Sequence, residues 1–476
     1  MKTFKTGWMV LAIIALALGG CSEAMADNAE DTTGDITAST TGATSTGKFL
    51  HLSDIHFDPT VDGVGLKLAQ EKDVSKWKGI LEAAGADKAE MSHNQRFGSQ
   101  TDRRDSNYAL VLSALDEAKK QGPYDFIVYT GDYLPHFFRG AAPSDSDERI
   151  AFKANTIAFI NGMIAERFGD TPLIAALGNN DAGDGDYNLK QNSPFLADVA
   201  DDIPVVAASS AATKSFEEGG NYLVSPPGLP FDFLVLSVFW SHEYPGQTRD
   251  CGGHSGQAGR DQMTFFRNAI SGRDGSDRPI MLVMHIPPGM DGFKSQETGS
   301  ARHQWCGDFD YLTDFMGDAS TNKSVFAMGF AGHTHMDSFR VMNDGSSPYL
   351  PIRIGPAVTT WNGNAPAFTV FDYDSTNGTV TDFSVFTLTN VGSGIPPSQA
   401  NWSREYRFGK EYGSGGFTAA KIDALAQSIQ TGRGTSYDAF NAYYKARPGT
   451  LNNWSYYACA IDEFGDKPFR DCAKAN

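Results

Sequence analysis

Seven side chains with metal-binding chemistry follow five separate apolar runs of the 476-residue chain. The runs FLHLS, FIVYTG, LIAALG, IMLVM and VFAMGFAG each lead into aspartate, asparagine or histidine. In chain order, the residues are Asp54, His56, Asp132, Asn179, His285, His333 and His335. Imidazoles, carboxylates and amide oxygens are ligands that divalent first-row metals accept. Seven donors exceed the four of one tetrahedral ion, and they fit two ions that share a carboxylate.

Strands of an α/β domain are expected to position these residues. In open α/β sheets, ligands bind beyond the carboxyl ends of the strands, which meet at one rim. Asp54 and His56 are two residues apart in an extended segment, so both project to the same side. The run DFLVLSVFW predicts a further strand, and DSNYALVLSALDEAKKQG has the apolar spacing and the Gly-Pro stop of a helix. The stretch FTVFDYDSTNGTVTDFSVFTL predicts a hairpin around Asn377-Gly378.

The ordered motifs resemble those of a known family. They are similar to the five blocks of calcineurin-like metallophosphoesterases, which here read Asp54-Ile55-His56, Gly131-Asp132, Gly178-Asn179, His285 and Gly332-His333-Thr334-His335. Within that superfamily, GDYLPH (131–136), HIPPG (285–289) and GHTHMDSF (332–339) look like the acid-sphingomyelinase-like phosphodiesterase branch. The resemblance implies an α/β fold of two mixed β-sheets packed as a sandwich and flanked by helices, with a small helical C-terminal appendage.

The resemblance also implies how the ligands are divided. The expected sets are Asp54, His56 and His335 for one ion, Asn179, His285 and His333 for the other, and Asp132 as the bridge between them. Zinc is the expected metal, and manganese and iron fit the same donors. The implied reaction is hydrolysis of a phosphate ester, most directly a phosphodiester, by a metal-activated water. Two alternatives stay open: a nucleotide or polyphosphate hydrolase of the same fold, and a metal-containing surface binding lipoprotein without turnover.

One position departs from the family pattern. Most relatives have histidine directly after the ligand asparagine, whereas this chain has Asn180 in the stretch GNND. An amide cannot act as a general acid, but it can donate a hydrogen bond to a phosphoryl oxygen. His136, four residues after Asp132, matches the spacing of the branch and is the expected proton donor. The alternative is that His136 only orients a metal ligand.

The remaining histidines are weaker candidates. His242 and His254 are candidates either for the lining of the cleft or for loops without a role. His51 is expected in the core or beside a ligand, and His93 and His303 have no assigned role.

The composition limits the class of substrate. The formal net charge is −18, which argues against a protein that coats nucleic acid. It does not exclude a phosphorylated small molecule, lipid or nucleotide, because bound metal ions supply positive charge locally. A monomer is expected.

The N-terminus has the pattern of a targeting segment. Residues 1–20 combine MKTFK with the apolar stretch GWMVLAIIALAL, which is short for a membrane span. Leu18-Gly19-Gly20-Cys21 resembles a bacterial lipobox, which implies cleavage before Cys21 and its lipidation; an ordinary signal peptide is the alternative. The expected location is extracytoplasmic, anchored to the outer membrane, with residues 21–47 as a flexible tether.

Four cysteines remain when Cys21 is set aside, and they permit three pairings. Proximity in sequence favours Cys251–Cys306 and Cys459–Cys472, in an oxidising compartment. The absence of a CxxC pair from the sequence argues against a structural zinc site. We predict a catalytic domain over residues 48–390 and a helical C-terminal subdomain over 391–476, after the linker-like stretch GSGIPPSQ.

Overall fold

Two six-stranded mixed β-sheets form the centre of the protein. The structure, a computed structural model, describes residues 46–93, 104–138, 143, 146–241, 256–306 and 311–475. The strands are β1 (Thr46–Leu52), β2 (Phe126–Tyr129), β3 (Leu173–Ala175), β4 (Tyr222–Val224), β5 (Asp232–Val235), β6 (Ile280–Val283), β7 (Phe326–Ala331), β8 (Ser338–Asn343), β9 (Pro348–Ile354), β10 (Ala367–Asp374), β11 (Val380–Leu388) and β12 (Trp402–Arg407). The order is β12-β11-β10-β1-β2-β3 in the first sheet and β4-β5-β6-β7-β9-β8 in the second. The predicted pair of mixed sheets is confirmed.

Parallel strands in each sheet end at a common edge. β1, β2 and β3 run parallel in the first sheet, and β5, β6, β7 and β9 run parallel in the second. The six apolar runs that predict strands correspond to β1, β2, β3, β5, β6 and β7. Strands covered on both faces read as continuous apolar runs, and for this reason the sequence indicates them clearly.

Aromatic rings join the two sheets. The ring of Phe49 on β1 stacks between those of Phe126 and Phe371, at centroid distances of 4.5 and 4.6 Å. Phe330, on β7 of the other sheet, meets Phe49 edge-on at 5.7 Å. All four side chains are fully buried. Burial of aromatic area is the main contribution that such contacts make to stability, and it holds the two sheets face to face.

The helices are α1 (Gly65–Gln70), α2 (Trp77–Ala83), α3 (Tyr108–Gln121), α4 (Ser146–Phe168), α5 (Pro194–Asp201), α6 (Pro204–Ala207), α7 (Ser210–Gly219), α8 (Gln257–Ile270), α9 (Gly292–Thr298), α10 (Tyr311–Thr321), α11 (Phe408–Glu411), α12 (Ala419–Ile429), α13 (Thr435–Tyr443), α14 (Trp454–Cys459) and α15 (Asp466–Ala475). Helix α3 is predicted from the sequence by DSNYALVLSALDEAKKQG. The side chain of Asn107 caps it by accepting a hydrogen bond from the amide of Leu110 at 3.2 Å. It contacts β10 and α4, and it lies in the crossover that makes β1 and β2 parallel.

Strands β8 and β9 follow the last ligand motif and were not expected from the sequence. Pro348 and Pro351 in β9 argue against a strand inside a sheet, because proline cannot donate to the ladder. The structure resolves the conflict through register. β9 pairs with β7 only from Ile352 onwards, so both prolines lie where β8 is the partner.

The C-terminal region is helical, as predicted, with one addition. Helices α11 to α15 lie there, but β12 precedes them and pairs antiparallel with β11. The predicted disulfide Cys459–Cys472 is present and joins α14 to α15. Met290, five residues after His285, is buried with Cys459 and Phe469. The C-terminal helices therefore pack directly on the segment that follows a predicted ligand.

Several predictions concern residues that the structure does not describe. The signal peptide over residues 1–20, Cys21, most of the tether, His242, His254 and Cys251 lie outside the described residues. β1 begins at Thr46, within the last two residues of the predicted tether, and pairs with β10 from that residue. The domain boundary near residue 390 stays a prediction. In the part of the chain that is described, no helix combines the length and apolar character that a bilayer crossing requires.

Candidate metal centre

The loops that follow the parallel strands are joined by hydrogen bonds. The amide of His56 donates to the carbonyl of Asp132 at 2.9 Å, which connects the loops after β1 and β2. The amide of His333 donates to both carboxylate oxygens of Asp54 at 3.1 Å, which connects the loops after β7 and β1 across the two sheets. These bonds bring the strand ends of both sheets to one place.

The backbone is left-handed at five of the seven predicted ligands. The φ angles are +49° at Asp54, +46° at His56, +57° at Asp132, +69° at His333 and +63° at His335. For a residue with a Cβ, this conformation costs about 1–2 kcal/mol. Such strain persists where the surrounding structure enforces it, and it is concentrated at functional sites. Here it turns the side chains back over the ends of their strands.

Two glycines allow the loops to approach each other closely. A Cβ on Gly178 would lie 2.5 Å from the amide nitrogen of Asp132 and 2.6 Å from its Cγ. A Cβ on Gly332 would lie 2.6 Å from Oδ2 of Asp54 and would also contact the hydroxyl of Ser53. A side chain at either position would clash with one of the two carboxylates of the centre, so only glycine fits there.

The first predicted set of ligands is assembled around Asp54. Nε2 of His335 lies 3.4 Å from Oδ1 of Asp54 and 3.2 Å from Nε2 of His56. Nε2 of His56 lies 3.3 Å from Oδ2 of Asp132 and 3.8 Å from Oδ1 of Asp54. Ligand atoms that lie about 2 Å from one ion are about 3 to 4 Å from each other. The four side chains therefore fit the coordination sphere of a single ion.

The second predicted set is assembled around the same bridging carboxylate. Nε2 of His285 lies 3.1 Å from Oδ2 of Asp132 and 3.0 Å from Oδ1 of Asn179. Nδ1 of His333 lies 2.9 Å from the same oxygen of Asn179. Oδ2 of Asp132 thus faces a histidine of each set. The structure brings all seven predicted ligands together.

Carbonyl groups fix the orientation of two ligand rings. Nδ1 of His56 donates to the carbonyl of Leu134 at 2.8 Å, and Nδ1 of His285 donates to that of Thr130 at 2.7 Å. A carbonyl can only accept, so the proton is assigned to Nδ1 in both rings. The lone pair of Nε2 then points to the centre, as metal ligation requires.

The electrostatics of the centre favour a bound cation. Burial alone would raise the pKa of Asp132, but the charges of His285 and His56 hold it well below its usual range. Burial alone would lower the pKa of His56 and His285, but the Asp132 carboxylate raises them to about 10 and about 9. Burial lowers the pKa of His333 and His335 to about 3, which keeps both rings neutral. The centre thus combines an ionised carboxylate with the neutral rings of His333 and His335. A divalent ion fits this arrangement, because it would take the place of the protons on His56 and His285.

His136 stands between a ligand and an aromatic side chain. Its ring stacks on His56 at a centroid distance of 4.1 Å and on Trp361 at 4.2 Å. Nδ1 of His136 donates to Oδ1 of Asp105 at 3.0 Å, and the backbone amide of His136 donates to Oδ2 at 2.9 Å. Thr359 donates to the same carboxylate at 3.2 Å. The structure thus places His136 at the centre, with one ring nitrogen within 4.8 Å of the ligand atoms of His56 and His335.

Asn180 contacts the bridging carboxylate. Its backbone amide donates to Oδ1 of Asp132 at 2.9 Å, and its Nδ2 donates to Oδ2 at 3.0 Å. Next to it, Asp181 is fully buried and accepts from the amides of Gly178 and Leu134 at 2.8 and 2.9 Å. Both residues hold the loop after β3 against the loop after β2.

Asp105 and Asp186 belong to the site and were missed from the sequence. Asp105 precedes the cap of α3, where an aspartate is ordinary. Asp186 accepts from Nδ2 of Asn179 at 2.7 Å and lies in a polar loop without a motif. Neither position carries a signal in the sequence. Asp105 acts on His136 in another loop, and Asp186 acts on Asn179 across a turn.

Three further histidines that the structure describes, His51, His93 and His303, have partners outside the ligand set. Nε2 of His51 is 3.1 Å from the hydroxyl of Thr130, so His51 lies in the core beside the centre, as expected. His303 contacts Asp466 of α15 at 2.7 Å. His93 lies 3.3 Å from the carbonyl of Met91.

Comparison with known proteins relates the chain to one family of phosphoesterases. Residues 47–337 match the family model described as Calcineurin-like phosphoesterase. A Dictyostelium discoideum protein named sphingomyelinase phosphodiesterase D is 26% identical over 445 residues, which are 87% of this chain and 91% of that protein. A Rattus norvegicus protein named cyclic GMP-AMP phosphodiesterase SMPDL3A is 25% identical over 452 residues, covering 91% and 93%. A Homo sapiens protein named acid sphingomyelinase-like phosphodiesterase 3b is 25% identical over 433 residues, covering 88% and 85%.

The family resemblance predicted from the motifs is confirmed by these matches, and so is the class of enzyme. The chain belongs to the calcineurin-like phosphoesterase family and is a metal-dependent phosphoric ester hydrolase.

Proposed function

We propose that this protein is a phosphodiesterase that works with two divalent ions, of which zinc fits the donors best. The observation that carries the proposal is the shared Oδ2 of Asp132, which faces His56 at 3.3 Å and His285 at 3.1 Å. His335 and His333 add two further imidazole nitrogens, and Asn179 adds one amide oxygen. Imidazole-rich sets of this kind accept zinc, and manganese or iron are the next choices.

The bound ions would supply the main chemical activation, because paired divalent ions lower the pKa of water and neutralise phosphoryl charge. The chain itself contributes orientation. The carbonyls of Leu134 and Thr130 hold two ligand rings, and Asn180 holds the bridging carboxylate. Nδ2 of Asn180 carries two hydrogens, and the one not given to Asp132 is available to a phosphoryl oxygen.

His136 is proposed as the proton donor to the leaving group. Its Nδ1 proton is held by Asp105, and its ring is confined between His56 and Trp361, so Nε2 is the nitrogen that can exchange a proton with substrate. General acid catalysis typically contributes 10²–10⁴-fold. We expect His136→Ala to slow an alkyl phosphodiester by that range and a nitrophenyl phosphodiester far less, with unchanged metal content. Equal slowing of both substrates, or loss of metal, would assign His136 to the positioning or ligation of an ion.

The proposed function is tested with the whole chain, loaded with zinc, manganese or calcium. Hydrolysis of bis(p-nitrophenyl) phosphate supports it, and elemental analysis is expected to find two ions per chain. No turnover of any phosphodiester by the loaded protein would leave the alternative of a metal-containing binding protein. A screen of sphingomyelin, other phospholipids, nucleotides and polyphosphate then identifies the substrate class.

A nucleotide is the second candidate substrate. One relative is named a cyclic GMP-AMP phosphodiesterase, and others are named after sphingomyelinase. Trp361 stacks on His136, and Phe137, half exposed, meets Trp361 edge-on at 5.4 Å. Aromatic side chains beside the centre can bind either a nucleobase or an apolar chain. Faster turnover of a nucleoside diester than of sphingomyelin would favour the nucleotide.

The lipid anchor at Cys21 is also proposed, on the lipobox resemblance alone. The native protein should partition into detergent, and Cys21→Ser should release it to the soluble fraction. Mass spectrometry that finds an unmodified mature N-terminus would reject the anchor and its membrane location.

A further inference from the structure

A short loop after Asn179 contacts two ligands of the same ion. Oδ1 of Asp186 accepts a hydrogen bond from Nδ2 of Asn179 at 2.7 Å. The backbone amide of Tyr187 donates to the carbonyl of Asn179, also at 2.7 Å. The hydroxyl of Tyr187 lies 3.5 Å from Nε2 of His333. Asn179 and His333, with His285, form the second predicted ligand set.

An asparagine ligand needs an external partner to keep its orientation. Its amide oxygen can bind a cation, whereas its NH₂ group cannot, and rotation by half a turn exchanges the two. Here Oδ1 of Asn179 lies 3.0 Å from Nε2 of His285 and 2.9 Å from Nδ1 of His333, facing the centre. The carboxylate of Asp186 holds the NH₂ group on the opposite side. A charged acceptor also polarises the amide and makes its oxygen a stronger ligand.

The first ligand set has other supports. His56 is held by the carbonyl of Leu134, and Asp54 by the hydroxyl of Ser53. In the described parts of the chain, no hydrogen bond joins Asp186 to either of these two ligands. We infer that Asp186 is a positioning residue for the ion of the Asn179, His285 and His333 set, and that it supports this ion selectively.

The inference rests on the proposed two-ion function, and metal binding tests it without reference to activity. We expect Asp186→Ala to weaken the binding of one ion by about 10–100-fold, the usual effect of removing a partner of a ligand. The other ion should bind as in the wild type. Isothermal titration of the metal-free whole protein with zinc measures both affinities. Asp186→Asn, which keeps the shape and an acceptor oxygen, should show a smaller loss.

A matched control lies in the same loop. The carboxylate of Asp184 pairs with Lys190 at 2.6 Å. Among the described residues, no hydrogen bond joins Asp184 to a predicted ligand, so Asp184→Ala should leave both metal affinities unchanged. Thermal unfolding of each metal-free variant checks that the fold is intact. If Asp186→Ala does not fold, Asp186→Asn carries the test.

Double variants identify the affected ion. His335→Ala should leave only the ion of the Asn179 set, and adding Asp186→Ala should then weaken that remaining ion by the same 10–100-fold. His333→Ala should leave only the other ion, and adding Asp186→Ala should change nothing. Equal effects in both backgrounds, or no effect of Asp186→Ala on a wild type that binds two ions, would overturn the inference. A wild type that binds a single ion would instead overturn the proposed two-ion function.

Discussion

Replacing Gly178 by alanine adds one methyl group beside the bridging carboxylate and changes no charge or hydrogen-bonding group. The added Cβ would lie 2.5 Å from the amide nitrogen of Asp132 and 2.6 Å from its Cγ. Ordinary contacts of a Cβ begin at 3.4 Å, so the loop after β2 has to move by about 1 Å. The carboxylate of Asp132 moves with this loop, because Asp132 is part of it.

A displacement of this size has a calculable effect. A misplacement of about 1 Å in an active site costs on the order of 10²-fold in rate. Overpacking in a dense interior adds a loss of about 1–3 kcal/mol in the free energy of unfolding. We therefore expect Gly178→Ala to lower kcat/KM for bis(p-nitrophenyl) phosphate about 100-fold and to reduce the zinc content measured by elemental analysis.

The matched control is Gly162 in α4, where an added Cβ meets no atom within 4 Å. Gly162→Ala should keep full activity and raise the free energy of unfolding by about 0.5–1 kcal/mol. If Gly178→Ala kept its metal and a rate within threefold of the wild type, the position of Asp132 would not limit the reaction, and the reasoning would fail.

Three further predictions concern carboxylates. Asp132→Ala should remove both ions and all activity; fully active protein with one ion or none would contradict this. Asp105→Asn should slow alkyl phosphodiesters at least about tenfold at unchanged metal content, since His136 loses a charged partner; equal slowing of nitrophenyl esters would count against it. Burial raises the pKa of Glu405 from 4.5 to about 9, so the folded state binds this proton more tightly than the unfolded state. The stability linked to Glu405 is then complete below about pH 4.5 and lost as the pH rises towards 9, and Glu405→Gln should raise Tm at pH 8.5 but not at pH 4.5.

The strands and ligands could be predicted because each ligand follows a continuous apolar run. Burial on both faces removes polar residues from a parallel strand, so the first polar side chain marks its end. Asp54 and His285 are visible in this way. Gly178 and Gly332 were noted as parts of motifs, but the space that requires them became evident only with the loops in contact.

The rest could not be predicted because it depends on contacts between distant segments. Asp105 serves His136 across 31 residues, and an aspartate before a helix has an ordinary explanation. β9 contains two prolines, and only its register with β7 explains them. The strand β12 pairs with β11 at the sheet edge, where its exposed polar residues give no apolar run.

The packing of the C-terminal helices on the segment after His285 makes the metal centre depend on a distant part of the chain. Met290 is buried by Cys459 and Phe469, and Gly289 lies so close to Phe464 that a Cβ there would be 2.8 Å from the ring. The residues that cover this segment lie more than 150 residues after the histidine in the chain. A nascent chain therefore contains all seven predicted ligands before it contains the surface that covers the His285 loop. We expect the His285 loop, and with it activity, to form only after the segment around Cys459 and Phe469 has been synthesised.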